Sequence, residues 1–266
     1  MKRISYCLFS IISILVFWGC HEMDEDMKWY HYESDSYVTR YLSFDEIQLV
    51  QHPACPHTSA LLIEAVMNKQ GYSCFSTDED EQLKYEAKCD LYNDHGGSFK
   101  WMTNQEFGCR NTQADRDFVS IDIVSENDWD ESHPAGTSLN DVFRFASSSP
   151  YKYIASGYKK SYFWMNEELP EYVHKYYAGV AYDRAYDEKS MHLVHGLVSE
   201  LSSDDLILLG DCTEGMPKYV RLGALFPVNK PTGSKTHNLT LTMVDTEGNV
   251  LTATAKINFT TWEIYQ

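Results

Sequence analysis

His237-Asn238-Leu239-Thr240-Leu241-Thr242-Met243-Val244-Asp245-Thr246-Glu247-Gly248-Asn249-Val250-Leu251-Thr252-Ala253-Thr254-Ala255-Lys256-Ile257-Asn258-Phe259 is the stretch that decides the fold. Leu239, Leu241 and Met243 alternate with polar residues. So do Leu251, Ala253, Ala255, Ile257 and Phe259. Successive strand side chains point to opposite faces, so this pattern describes two strands with one buried face and one wet face. Asp245-Thr246-Glu247-Gly248-Asn249 supplies the turn between them. Thr240, Thr242, Thr252 and Thr254 carry the wet face with β-branched residues that favour a strand.

Working outward, Phe118-Val119-Ser120-Ile121-Asp122-Ile123-Val124-Ser125 repeats the alternation, with Val119, Ile121 and Ile123 on one side. Tyr219 to Phe226 is a further strand, with Val220, Leu222 and Ala224 on one side, and Phe44 to Val50 is another, ended by Pro53. Leu206 to Leu209 reads as a short apolar strand, and Tyr162 to Met165 as another. Leu62, Ile63 and Val66 fit a helical face, but a turn at 68–71 before Tyr72-Ser76 fits a hairpin equally well; the strand reading is preferred. Thr77 to Glu81 reads as an acidic loop, and Leu139, Val142 and Phe143 as the inward side of a short helical turn capped by Thr137 or Ser138. No βαβ rhythm is present, so the expectation is a mainly β fold: an antiparallel β-sandwich of the Ig-like type with short helical insertions.

The first residues carry an address. Lys2 and Arg3 precede an apolar run, Ile4 to Trp18, which reaches Gly19-Cys20. That order describes a secretory signal, and the run is shorter than the roughly 20 residues a spanning helix needs. Val16-Phe17-Trp18-Gly19-Cys20 resembles a bacterial lipobox, which makes Cys20 the expected site of lipidation and a palmitate-bearing membrane anchor. Glu22, Asp24, Glu25 and Asp26 follow, in the position of the export signal of surface lipoproteins. The expected organisation is a signal peptide at 1–19, an acidic and aromatic tether at 20–40 and a single β-rich domain at 41–266.

The chain has 266 residues and a net charge of −17. Without residues 1–19 the balance is 20 bases against 39 acids. Such a surface repels nucleic acid, which needs clustered Lys and Arg, and it repels an anionic membrane face, which leaves the lipid to hold the protein there. Of seven cysteines, Cys7 leaves with the signal and Cys20 takes the lipid. Cys55, Cys74, Cys89, Cys109 and Cys212 remain; four of them crowd between 55 and 109, where one or two disulfides are expected in an oxidising compartment.

The strand at 118–125, the segment His133-Pro134-Ala135-Gly136-Thr137-Ser138-Leu139-Asn140-Asp141-Val142-Phe143 and the hairpin beyond Phe226-Pro227 together resemble an uncharacterised family of Bacteroidetes lipoproteins, over roughly the C-terminal two-thirds of the chain. The resemblance implies a β-rich body at the outer membrane or cell surface, with no established activity. Surface lipoproteins of this kind often capture glycans, so Tyr162, Trp164, Tyr176 and Tyr177 are candidate ligand-binding aromatics; a packed core is the other use for such rings.

Catalytic patterns are sparse. Ser156-Gly157-Tyr158-Lys159, Ser203-Asp204-Asp205 and Lys235-Thr236-His237 follow the order of the penicillin-recognising enzymes, but the second lacks its Asn, the third its Gly, and Gly157 opposes the helix such a Ser begins. His192 and His195, and Cys55 with His57, are donor pairs short of a full ligand set. Asp78-Glu79-Asp80-Glu81 and Asn127-Asp128-Trp129-Asp130-Glu131 lack Ca²⁺-loop spacing. No metal, cofactor or nucleic acid is expected. The favoured function is non-catalytic binding of a glycan or surface protein, or structural support; the alternative is an envelope hydrolase with an unfamiliar active site.

Overall fold

The computed structural model describes residues 30–51, 59–69, 71–103, 112–159, 170–173, 192–210 and 219–264. Strands β1 (Tyr30–Ser34), β2 (Arg40–Leu42), β3 (Ile47–Gln51), β4 (Leu61–Val66) and β5 (Tyr72–Ser73) precede helix α1 (Glu79–Tyr92). Then come β6 (Phe99–Thr103), β7 (Thr112–Ala114), β8 (Phe118–Ser125), β9 (Phe143–Ser149) and helix α2 (Tyr151–Ala155). β10 (His192–Leu197), β11 (Tyr219–Pro227), β12 (Thr236–Asp245) and β13 (Val250–Asn258) complete the order. The chain is mainly β, as expected.

Among the described residues, 30–33 and 100–103 group as one unit, in which Lys100 Nζ lies 2.7 Å from Glu33. β1 pairs with β6. The remaining residues form the larger unit, a sandwich. One sheet has the order β10-β9-β11-β4-β3 and the other β13-β12-β8, with antiparallel neighbours throughout. Between them lie Leu49, Ile63, Phe145 and Leu222 from the first sheet and Ile121, Ile123, Leu241 and Met243 from the second.

The closing hairpin folds as its alternation dictates. Leu239, Leu241 and Met243 are buried, and Thr240 pairs with Thr254 and Thr242 with Thr252 on the outer face. Gly248 turns the chain at φ +83°, where a side chain would be strained. The Asp245 carboxylate accepts from the N–H groups of Glu247 and Asn249 and from Arg116 Nη1 at 2.7 Å, which ties the hairpin tip to the segment before β8. Burial pushes this carboxyl up, but the Asn249, Glu247 and Arg116 contacts outweigh it and hold Asp245 below the usual range.

Several expectations need correction. β8 slips by one residue against β12, since Ser120 faces Val244 and Phe118 faces Asp245. This bulge turns Val119 outward, 43% exposed, and sends Phe118 inward instead. β4 is a strand, but its partners are β3 and β11, while β5 pairs with β2, so no hairpin joins β4 to β5. The other face of its sheet is also covered, by Tyr172 and Val173 against Leu62, Ala146, Ala224 and Phe226. A strand buried on both faces loses the period-two signal and reads as a continuous apolar run. Leu206 to Leu209 is no strand: Ser203–Leu206 is a 3₁₀ turn, and Leu208 has φ +50°. Leu139, Val142 and Phe143 do point inward, the first two from a plain turn in which Val142 N–H donates to the Leu139 carbonyl and Phe143 from the start of β9. The strand expected at Tyr162–Met165 lies outside the described residues.

The 77–81 loop is instead the start of α1. Asp78 caps it by accepting from the Glu81 N–H at 3.0 Å, and Glu79, Asp80 and Glu81 place negative charge at the positive end of the helix. Its buried face is narrow: Tyr85, Cys89 and Tyr92. That face covers a small sheet, β5-β2-β7, in which β2 and β7 run parallel. Here Asp94 is fully buried and accepts from Tyr37 N–H at 2.8 Å, Val38 N–H at 2.9 Å and Tyr158 O–H at 2.7 Å. Tyr37, Val38 and Thr39, which the sequence assigns to the tether, are buried in this layer.

Candidate functional site

Cys20, Glu22, Asp24, Glu25 and Asp26 lie outside the described residues, as do Tyr162, Trp164, Tyr176 and Tyr177. No helix among the described residues is long and apolar enough to cross a membrane. Cys74 and Cys89 are not joined to each other, and Cys55, Cys109 and Cys212 lie outside the described residues. Among the described residues no disulfide is present.

The described members of the aromatic stretches pack inward. Tyr153 sits edge-on to Tyr37 at 5.2 Å and to Tyr158 at 5.5 Å, and Tyr151 meets Tyr92 at 6.4 Å. Tyr172 stacks under Arg144 at 5.2 Å and contacts Phe226. Tyr172 is buried, while Tyr151, Tyr153 and Tyr158 are half-buried against the second core.

The three motifs in penicillin-recognising order serve the fold. Ser156 follows α2 rather than opening a helix, and its hydroxyl donates to the Tyr153 carbonyl at 2.7 Å. Asp205 receives Lys152 at 2.9 Å; burial opposes its ionisation, but Lys152 and Ser202 bring the carboxyl to about 2. Lys235 Nζ donates to the Pro231 carbonyl at 3.0 Å. His237 is fully buried: Nε2 faces the Ser234 carbonyl at 2.8 Å and Nδ1 faces Ser125 Oγ at 2.7 Å. A carbonyl only accepts, so Nε2 carries the proton and Nδ1 accepts from the Ser125 hydroxyl. Burial lowers the basicity of this imidazole, which stays neutral as a packing group against Trp129.

His192 and His195 occupy one strand at a spacing of three, which places them on opposite faces. The acidic clusters are spent on loops: Asp78 caps α1, Asp128 accepts from Ala135 N–H at 2.8 Å, and Asp130 accepts from the N–H groups of Ser132 and His133. Among the described residues no cluster of His, Cys, Asp and Glu has metal-holding geometry.

What the fold does open is a groove of about 200 Å³ on the outer edge of β8, lined by Val119, Ser120, Ile121, Asn140, Ser199 and Leu206 among others. Val119, turned outward by the bulge, is part of its lining. Asn140 forms its floor, with Oδ1 accepting from Ile123 N–H and Nδ2 donating to the Ile121 carbonyl, both at 3.1 Å. That pair of bonds mimics a neighbouring strand and seals the edge beyond the groove. Its lining offers hydroxyl groups, an amide and apolar surface, and no ionisable side chain. Sequence pattern did not reveal it, because it depends on a one-residue slip of β8 and on a turn 20 residues away.

Beside it, the 126–142 loop folds over the end of the sandwich and inserts Trp129, which is fully buried. Trp129 lies edge-on to Phe143 at 5.3 Å and to Phe259 at 4.9 Å, and its Nε1–H donates to Asn229 at 2.7 Å. The chain matches no known family model, no characterised protein and no solved structure.

Proposed function

We propose that the protein is a lipid-anchored lipoprotein of the cell envelope, held at the outer membrane or cell surface through Cys20, whose β-rich body binds a glycan or protein ligand or gives structural support. The observation that carries this reading is the order Lys2-Arg3, apolar run, Gly19-Cys20, acidic run. Several acyl chains on one cysteine, each buried CH₂ contributing about 0.8 kcal/mol, hold a soluble body stably at a bilayer. The resemblance to Bacteroidetes lipoproteins points the same way. Support for binding over catalysis comes from how the described polar side chains are used: Ser156, Asp205, Lys235 and His237 all close local structure. The groove on β8 is likewise lined without an ionisable side chain.

Two experiments test the two halves. Cell fractionation of the Cys20→Ala protein finds it in the soluble fraction, whereas the wild type sediments with membranes; sedimentation of both would refute the anchor. Glycan arrays and pull-downs with the wild-type protein find a ligand. If no ligand binds, and the protein turns over a model ester or peptide, the envelope-hydrolase reading replaces this one.

A further inference from the structure

His133 sits between two carboxylates. Its Nδ1 lies 2.7 Å from Asp130 Oδ1, and its Nε2 lies 3.1 Å from Asp141 Oδ1. Its side chain is 17% exposed. A neutral imidazole donates from one nitrogen only, so the other would aim a lone pair at a carboxylate. Both contacts are satisfied together only by the imidazolium. Asp130 belongs to the loop that carries Trp129, and Asp141 belongs to the 139–142 turn against β9. His133 therefore joins the two halves of the loop that closes this end of the sandwich.

The backbone extends the link. Trp129 N–H donates to the His133 carbonyl at 2.9 Å, and Thr232 N–H donates to the Trp129 carbonyl at 2.8 Å. We propose that residues 128–141 form a proton-operated latch, in which protonated His133 bridges Asp130 to Asp141 and keeps Trp129 seated, and loss of that proton loosens the loop beside the β8 groove. The other charged groups nearby do not compete for the ring. Asp128 is turned to Ala135 N–H, Glu131 and Lys230 are exposed, and Lys235 is held by the Pro231 carbonyl. His237, on the far side of Trp129, has both nitrogens engaged.

The sign follows from the partners. The hydrogen bond that His133 donates to Asp130 raises the imidazole above its ordinary value, with Asp141 adding to it against the cost of burial. A raised value means the latch is fully closed below the unfolded-chain value of about 6.5 and opens as pH climbs through the folded value. The hydrogen bond from His133 in turn lowers Asp130, so that carboxylate's contribution holds above about 3.9 and is lost only as pH falls through its folded value. The latch is thus strongest between about pH 4 and 6.5.

The test is an NMR titration of the His133 ring in the full chain, run beside amide-exchange protection factors corrected for intrinsic rates. The expected result is a His133 titration above the free-histidine value, with protection at residues 129–133 falling at least about tenfold through the same pH. Asp141→Asn, at an exposed position, moves both transitions down together. Titration of wild-type His133 at or below the free value, or protection that ignores it, would overturn the latch.

Discussion

Trp129→Ala costs the protein about 3–5 kcal/mol of folding stability. The side chain is fully buried and touches Phe143, Phe259 and His237 with ring centroids 5.3, 4.9 and 5.1 Å away. Removing it leaves a cavity lined by those rings and by core residues that come from both sheets. The surrounding strands are fixed by their ladders, so the hole does not close. Asn229, which accepts from the indole N–H, is exposed and turns to water at small cost, so packing dominates the loss. Domains of this kind have about 5–15 kcal/mol in total, so one substitution removes a large share. Urea denaturation reads this as a lower midpoint at unchanged slope. A loss under about 1 kcal/mol would mean that the loop does not plug the core.

The second large effect is at Asp94. Both its oxygens are used: Tyr37 N–H and Tyr158 O–H on Oδ1, Val38 N–H on Oδ2. Asp94→Ala strips three donors of their acceptor in a buried layer. Each orphaned donor costs about 1–3 kcal/mol, so even with partial rehydration the expected loss is about 3 kcal/mol or more. Asp94→Asn is the informative control. One oxygen remains, but its NH₂ now faces the Val38 N–H, so this variant falls between wild type and alanine. Chemical denaturation ranks the three, and amide exchange at residues 37 and 38 locates the damage. Equal stability of Asn and Ala variants would mean the carboxylate is not the staple that holds this segment.

Comparing these residues with the sequence shows which physics is legible there. The closing hairpin could be read because one buried face imposes strict alternation on local sequence, whereas bulges interrupt the alternation in β8 and β11: Val220 and Leu222 enter the core between the sheets, but beyond the slip at Arg221/Gly223 Ala224, expected on the same side, lies with Tyr172 on the other face. α1 could not: its inner stripe is only Tyr85, Cys89 and Tyr92, while Leu83 and Leu91 point outward, 64% and 65% exposed, so the helical period cancels. Leu206 to Leu209 failed as a strand for a related reason, since Leu206, Leu208 and Leu209 are buried from the end of a 3₁₀ turn and a left-handed residue. Asp94 and the Tyr37 backbone lie 57 residues apart, and no pattern within either segment foretells their meeting. The groove and the His133 bridge are of the same kind: each joins loops through a bulge or a turn. Conversely, the proposed anchor rests wholly on local sequence, because a lipobox is a short linear stretch.

That anchor is the central claim, and mass spectrometry of protein from cells fed labelled palmitate tests it most directly. The account predicts a mature chain that starts at Cys20, with the label on that residue and none on the Cys20→Ala protein. Label incorporated equally by both proteins, or a mature chain whose Cys20 carries no lipid mass, would contradict it.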